Sequence, residues 1–332
     1  MNLTWGLLSK YKNELYGFSI IWIILFHGII LKKCALPKSL KIIENFLKHG
    51  NLGVEIFLFL SCVCLYFSMR SDNNILNFYR KRLIRIFSSL LIICGTYWGY
   101  TCIIQESDPI KFLQNVTLLG FWQRYDQQIW FVALIIPLYF IYPYLYKYWV
   151  IISKNKFFIL LVMVFSIYVL CFMYGQLDWK NYKGIEIALT RIPIFLVGCY
   201  CGELVYQDKK IDKIVLIGLL TSMLLGIIFL KNYSLVKGLR FAYFLIGLGL
   251  PLVVSIVLEF LNNRFINKQL FIWGSVSLEL YLVHIILRGI YANSSFYGAG
   301  KVQNYGEYII FCMFGAFMIS KLVMRIGFNN RI

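Results

Sequence analysis

The sequence has no long polar stretch, which leaves no room for a soluble domain of ordinary size among its 332 residues. Charge is scarce too: 14% of residues are charged, where soluble domains carry roughly a quarter. Acidic residues are rarest, 15 against 33 Lys and Arg, for a formal net charge of +18. With no soluble basic domain to present it, that charge does not point to nucleic acid. Basic residues in cytoplasmic loops, facing anionic membrane lipid, account for it. The nine cysteines are an odd number, which argues against a complete disulfide framework. Cys62/Cys64 and Cys199/Cys201 are spaced by two, so on a helix they point in different directions. No spacing fits a zinc site, so no metal is expected. No internal repeat or low-complexity tract is present. The apolar run after Lys10 and Lys12 is followed by no convincing small-residue cleavage site, so an uncleaved first span is expected.

What the chain does have is apolar length. Hydrophobic residues make up 60% of it, with a mean hydropathy of +0.71. Runs near twenty residues cross roughly 30 Å of hydrocarbon, so the pattern predicts an all-α polytopic membrane protein formed as a single transmembrane domain over 1–332, with no fused soluble domain. About ten transmembrane helices are expected, at 15–32, 51–69, 86–104, 129–149, 157–175, 187–206, 214–230, 241–261, 271–290 and 307–326. "DPIKFLQNVTLLGFW" (108–122) reads as a helix lying at the interface, and "YPYLYKYW" (142–149) as part of an aromatic belt. Alternate links differ in Lys and Arg content. Placing the richer side inside puts both termini in the cytoplasm.

Only three histidines occur, and one stands inside "SIIWIILFHGII" (19–30) as His27. In the predicted topology it lies about one turn below the outer face, at 1.5 Å per residue. Glu55 in "GNLGVEIFLFLS" (50–61), Arg191 in "TRIPIFLVG" (190–198) and His284 in "SLELYLVHI" (277–285) fall at a similar depth on three other spans. Ionisable groups in hydrocarbon are costly and face a protein interior or cavity. Single instances have bland readings: a lone His bonds a neighbouring helix, and an Arg snorkels to the headgroups. As a group they suit chemistry. A neutral His takes a proton from a hydroxyl at working pH, a carboxylate such as Glu55 would fix its tautomer, and a buried arginine stabilises oxyanion charge. A proton-coupled transporter would want the same groups.

At the opposite face, "FYRKRLIRIF" (78–87) sets Arg82 and Arg85 three apart, on one side of a helix. Two guanidiniums so placed suit bidentate binding of phosphate oxygens, and also suit an ordinary basic membrane anchor.

Taken in order, these segments resemble the acyltransferase-3 family of bacterial integral membrane acyltransferases. "LYGFSIIWIILFHG" (15–28) is similar to its first span. "GNLGVEIFLFLS" resembles G-V-D/E-x-F-F-x-L-S-G, with Glu55 at the acidic position, and Arg82 and Arg85 stand for R-x-x-R. "IWFVALIIPLYFIYPYL" (129–145) resembles the W-F/Y-L span, "RIPIFLVGCYCG" (191–202) R-x-P-x-F-x-x-G, and "GSVSLELYLVHI" (274–285) S-x-x-x-Y-L-x-H. Tyr16 replaces the usual basic residue eleven before the first His, Cys62 a usual Gly, and Ser88 a frequent Pro. The resemblance implies an O-acetyltransferase of the bacterial inner (cytoplasmic) membrane. It would move acetyl from cytosolic acetyl-CoA, a co-substrate and not a bound cofactor, to a hydroxyl of a surface polysaccharide or lipid-linked glycan. His27 would be general base or transient acyl carrier with Glu55 orienting it, Arg82 and Arg85 would hold CoA, and Arg191, Trp130, His284 and Tyr16 would shape the pocket. The rival from another class is a flippase for a lipid-linked sugar, with His27 and Glu55 as a proton relay; within the enzyme class, the acceptor could instead be a lipid, an antibiotic or peptidoglycan sugar.

Overall fold

The computed structural model describes residues 3–32, 41–104, 108–151, 155–232, 240–293 and 302–325. Those residues form seventeen α-helices: α1 (Leu7–Lys10), α2 (Lys12–Lys32), α3 (Lys41–Leu47), α4 (Gly53–Ser71), α5 (Ile75–Leu90), α6 (Thr96–Ile104), α7 (Pro109–Val116), α8 (Leu119–Arg124), α9 (Trp130–Ile151), α10 (Lys156–Leu177), α11 (Trp179–Leu189), α12 (Ile192–Tyr206), α13 (Lys213–Asn232), α14 (Phe241–Leu261), α15 (Arg264–Ser275), α16 (Ser277–Asn293) and α17 (Val302–Arg325). Seven helical segments among the described residues are long and apolar enough to cross a membrane, and the bent pair α15–α16 makes an eighth. The chain is an all-α polytopic membrane protein. α2, at 21 residues, is about 31 Å long.

Burial separates an inner bundle from an outer layer. In the Lys41–Ser71 span that contains α4, 78% of the apolar window is buried inside the protein, against 6% in α13. α4 is wedged between α2 and α12, and glycines set both contacts. A Cβ on Gly198 would lie 2.5 Å from the Phe59 carbonyl oxygen, and one on Gly53 2.7 Å from that of Ser19. Small residues at helix crossings are the usual means of close approach in a bilayer.

Two expected spans differ in form. The third begins well before 86: Asn74 caps α5 by accepting from the N–H groups of Leu76 and Asn77, and a π-helical turn at Leu91–Gly95 carries the path into α6. The basic cluster of 80–85 therefore rides on a continuous helical path. The expected ninth span, 271–290, is not straight. The helix breaks at Val276 (φ −113°, ψ 20°) and turns by 70°. α15 instead runs against α2, where Cβ atoms on Gly17 and Gly274 would fall 1.9 Å from the Leu270 carbonyl oxygen and 1.7 Å from that of Asn13. The 108–122 segment forms two short helices, α7 and α8.

One face gathers the N-terminal residues with the links after α12 and α14. Trp5 N–H donates to the Lys209 carbonyl, Ile211 N–H to that of Leu3, and Lys10 and Tyr11 reach Glu259 at 2.5 and 2.7 Å. The links 105–128, 231–240 and 291–306 lie partly outside the described residues.

Candidate functional site

A cavity of about 850 Å3 opens near the basic face and runs into the bundle. Lys12, Lys81, Arg82 and Arg85 stand among its lining, and Tyr16, Phe57, Phe131 and Tyr281 line it further in. At the mouth, Lys81 lies 3.5 Å from Asp72. The Asn74 backbone N–H, with Asn77 and Lys81, holds the Asp72 carboxyl below its ordinary value, so part of the Lys81 charge is already balanced.

The two arginines of the R-x-x-R pair are not equivalent. Arg85 forms a two-pronged bond to Glu279, Nη1 to Oε1 at 2.6 Å and Nη2 to Oε2 at 3.2 Å. Ser89 Oγ adds a third donor to the same carboxylate at 2.8 Å. Glu279 is fully buried, so Arg85 is committed as its counter-ion. Arg82 makes no ion pair among the described residues, and its Nε lacks a hydrogen-bond partner. Glu279 was not singled out from the sequence, although the signal existed: an acid in the apolar run "SLELYLVHI" is as costly as the histidine five residues later.

The four ionisable groups expected at one depth separate into two pairs. Glu55 Oε1 lies 3.1 Å from Arg191 Nε, with both side chains out of contact with solvent. Arg191 Nη1 donates to the Ile187 carbonyl at 2.9 Å, and the guanidinium sits 4.9 Å from the Trp130 ring centre, a cation–π distance. Arg191 can occupy this place because the chain breaks between α11 and α12, with a proline in the first turn of α12. Gly247 lets α14 close over Glu55; a Cβ there would come 2.9 Å from the Glu55 Cβ. The expected pairing of Glu55 with His27 is therefore replaced by an internal ion pair between α4 and the start of α12. Depth along each helix was readable; the direction each side chain faces was not.

His27 instead meets His284. Its Nδ1 lies 3.1 Å from His284 Nε2, with ring centres 5.2 Å apart and planes inclined by 18°. His284 is fully buried, while His27 is half-buried. The Tyr281 ring stands edge-on to His284 at 5.5 Å and to Phe131 at 5.3 Å. Phe131 continues to Phe57 at 6.0 Å, and Phe57 to Tyr16 at 5.2 Å. The cavity thus shares the Tyr281 wall with the histidine pair. Of the expected site residues, Tyr16, Arg82 and Arg85 line the cavity, His27 and His284 lie behind its aromatic wall, and Glu55, Arg191 and Trp130 form a separate buried cluster.

The family model described as an acyltransferase domain, that of the acyltransferase-3 family, matches residues 15–325, nearly the whole chain. The chain belongs to that family and is a membrane acyltransferase. No curated protein and no solved structure matches it.

Proposed function

We propose that this acyltransferase takes an acetyl group from acetyl-CoA on the cytoplasmic side and gives it to a hydroxyl of an extracytoplasmic polysaccharide or lipid-linked sugar, in the bacterial inner membrane. The observation that carries the reading is a cavity running from Lys12, Lys81 and Arg82 to the Phe131–Tyr281 wall, behind which His284 and His27 stand. Its basic mouth suits the phosphates of the donor, with Arg82 as the uncommitted guanidinium able to bind them bidentately. Its apolar, aromatic interior suits the pantetheine arm and thioester, placing the acyl carbon toward the pair. Arg85, bound to Glu279, fixes the wall of the mouth, its charge balanced by that carboxylate.

In the transfer, the acceptor O–H bond breaks and its proton goes to His27. The oxygen bonds to the acyl carbon, the C–S bond breaks, and the sulfur leaves as thiolate and is protonated to free CoA. A positioned general base of this kind contributes roughly 10²–10⁴-fold. The experiment is release of free thiol by the protein in liposomes with acetyl-CoA and a crude surface-glycan acceptor. His27→Ala should lower the rate by at least about 100-fold. Arg82→Ala should raise KM for acetyl-CoA about tenfold or more, as expected for loss of one charge-assisted contact. Unchanged release by His27→Ala would remove the imidazole from the chemistry.

A further inference from the structure

The polar contacts of the two histidines fix where their protons lie. His284 Nδ1 is 3.0 Å from the backbone carbonyl oxygen of Leu280, one turn earlier on α16. A carbonyl only accepts, so that nitrogen carries the hydrogen. A neutral imidazole has one N–H and one lone pair, which leaves His284 Nε2 as an acceptor. The atom facing it at 3.1 Å is His27 Nδ1, which must donate. The chain of donors therefore runs one way, from His27 Nδ1–H to His284 Nε2 and from His284 Nδ1–H to Leu280 O. His27 Nε2 is left with a lone pair and no proton.

We propose that His284 is a positioning residue that holds His27 in its Nδ1–H tautomer, so that His27 Nε2 is the atom that takes the proton from the acceptor hydroxyl. This rests on the acyl-transfer reading. It gives a neutral imidazole the part that a carboxylate plays in a serine-hydrolase triad, and anchors it on a backbone carbonyl that cannot titrate. When Nε2 takes the proton, the His27 Nδ1–H stays bonded to His284 Nε2, and the positive charge is shared across two nearly parallel rings 5.2 Å apart. The titratable and charged neighbours are Tyr281 and Arg288 on α16 itself and Tyr308 from α17, whose hydroxyl donates to the His284 carbonyl at 3.3 Å. Tyr308 thus bonds the backbone and leaves both ring nitrogens of His284 to the chain of donors.

Two measurements test this. The first is magic-angle-spinning NMR of 15N-histidine-labelled protein in lipid, tractable because only three histidines are present. Both His27 and His284 should carry their proton on Nδ1; an Nε2–H signal from neutral His27 would overturn the assignment. The second compares variants. His284→Leu removes the acceptor and should lower kcat about 100-fold with KM for acetyl-CoA within about twofold of native. His284→Gln, whose Oε1 accepts from His27 Nδ1–H, should recover at least about tenfold of that loss. The pH–rate profile should also move in both variants, which a purely structural role would not produce. Native kcat in His284→Leu alongside an inactive His27→Ala would overturn this proposal alone. Native activity in His27→Ala would instead overturn the acyl-transfer reading beneath it. Should His284→Leu fail to fold, the tautomer spectrum decides.

Discussion

Arg191 and Glu55 tie the start of α12 to α4. Both are fully enclosed, and removing one partner of such a pair leaves an uncompensated charge in a low-dielectric interior, a loss of about 3–5 kcal/mol. Arg191→Ala should therefore lower the thermal midpoint in detergent sharply. The double variant Arg191→Met/Glu55→Gln should lower it far less, because neither change strands a charge. Equal midpoints for Arg191→Ala and the native protein would show the pair to be unimportant. At this scale the sequence was partly legible. An ionisable residue in an apolar run announces itself through its cost, as His27, Glu55, Arg191 and His284 do. Their partners were hidden, because the rise along a helix follows from residue counting while the direction of each side chain depends on how helices pack. Arg85 shows the same limit: its spacing from Arg82 was readable, its commitment to Glu279 was not.

Among elements, the joint between α2 and α15 is the most demanding. Both helices approach backbone to backbone at Gly17 and Gly274, and the atoms a Cβ would strike are carbonyl oxygens, which cannot swing aside. Gly274→Ala should cost at or above the upper end of the roughly 1–3 kcal/mol typical of overpacking. It would displace α15 and, through the bend, the helix that holds His284. Expression, thermal midpoint and turnover should fall together. A Gly274→Ala protein with native stability would contradict this packing. Spans were legible from apolar length, but the sixth reads as one run over 187–206, whereas the chain breaks between α11 and α12, just before the proline in the first turn of α12. The bend at Val276 has no proline in "GSVSLE", and an isolated glycine such as Gly274 is tolerated within a helical pattern, so the sequence reads as a straight span from 271 to 290. The early start of α5 was likewise masked by its charged first turns, which lower hydropathy without ending a helix.

For the whole molecule, the account stands or falls on the basic cavity as the donor site, and the chain supplies its own reporter. Cys64 lines that cavity, is half-buried, and its Sγ lies 3.8 Å from the Tyr16 hydroxyl. The membrane architecture and the family were legible in composition and motif order; the cavity was not, because its walls come from helices far apart in sequence. The most direct measurement is the rate at which a small maleimide labels Cys64, read by peptide mass spectrometry, with and without acetyl-CoA. Saturating acetyl-CoA should slow labelling about tenfold or more in the native protein, and Arg82→Ala should lose that protection at the same concentration. Equal labelling rates with and without acetyl-CoA, at concentrations that support turnover, would place the donor elsewhere and contradict the account.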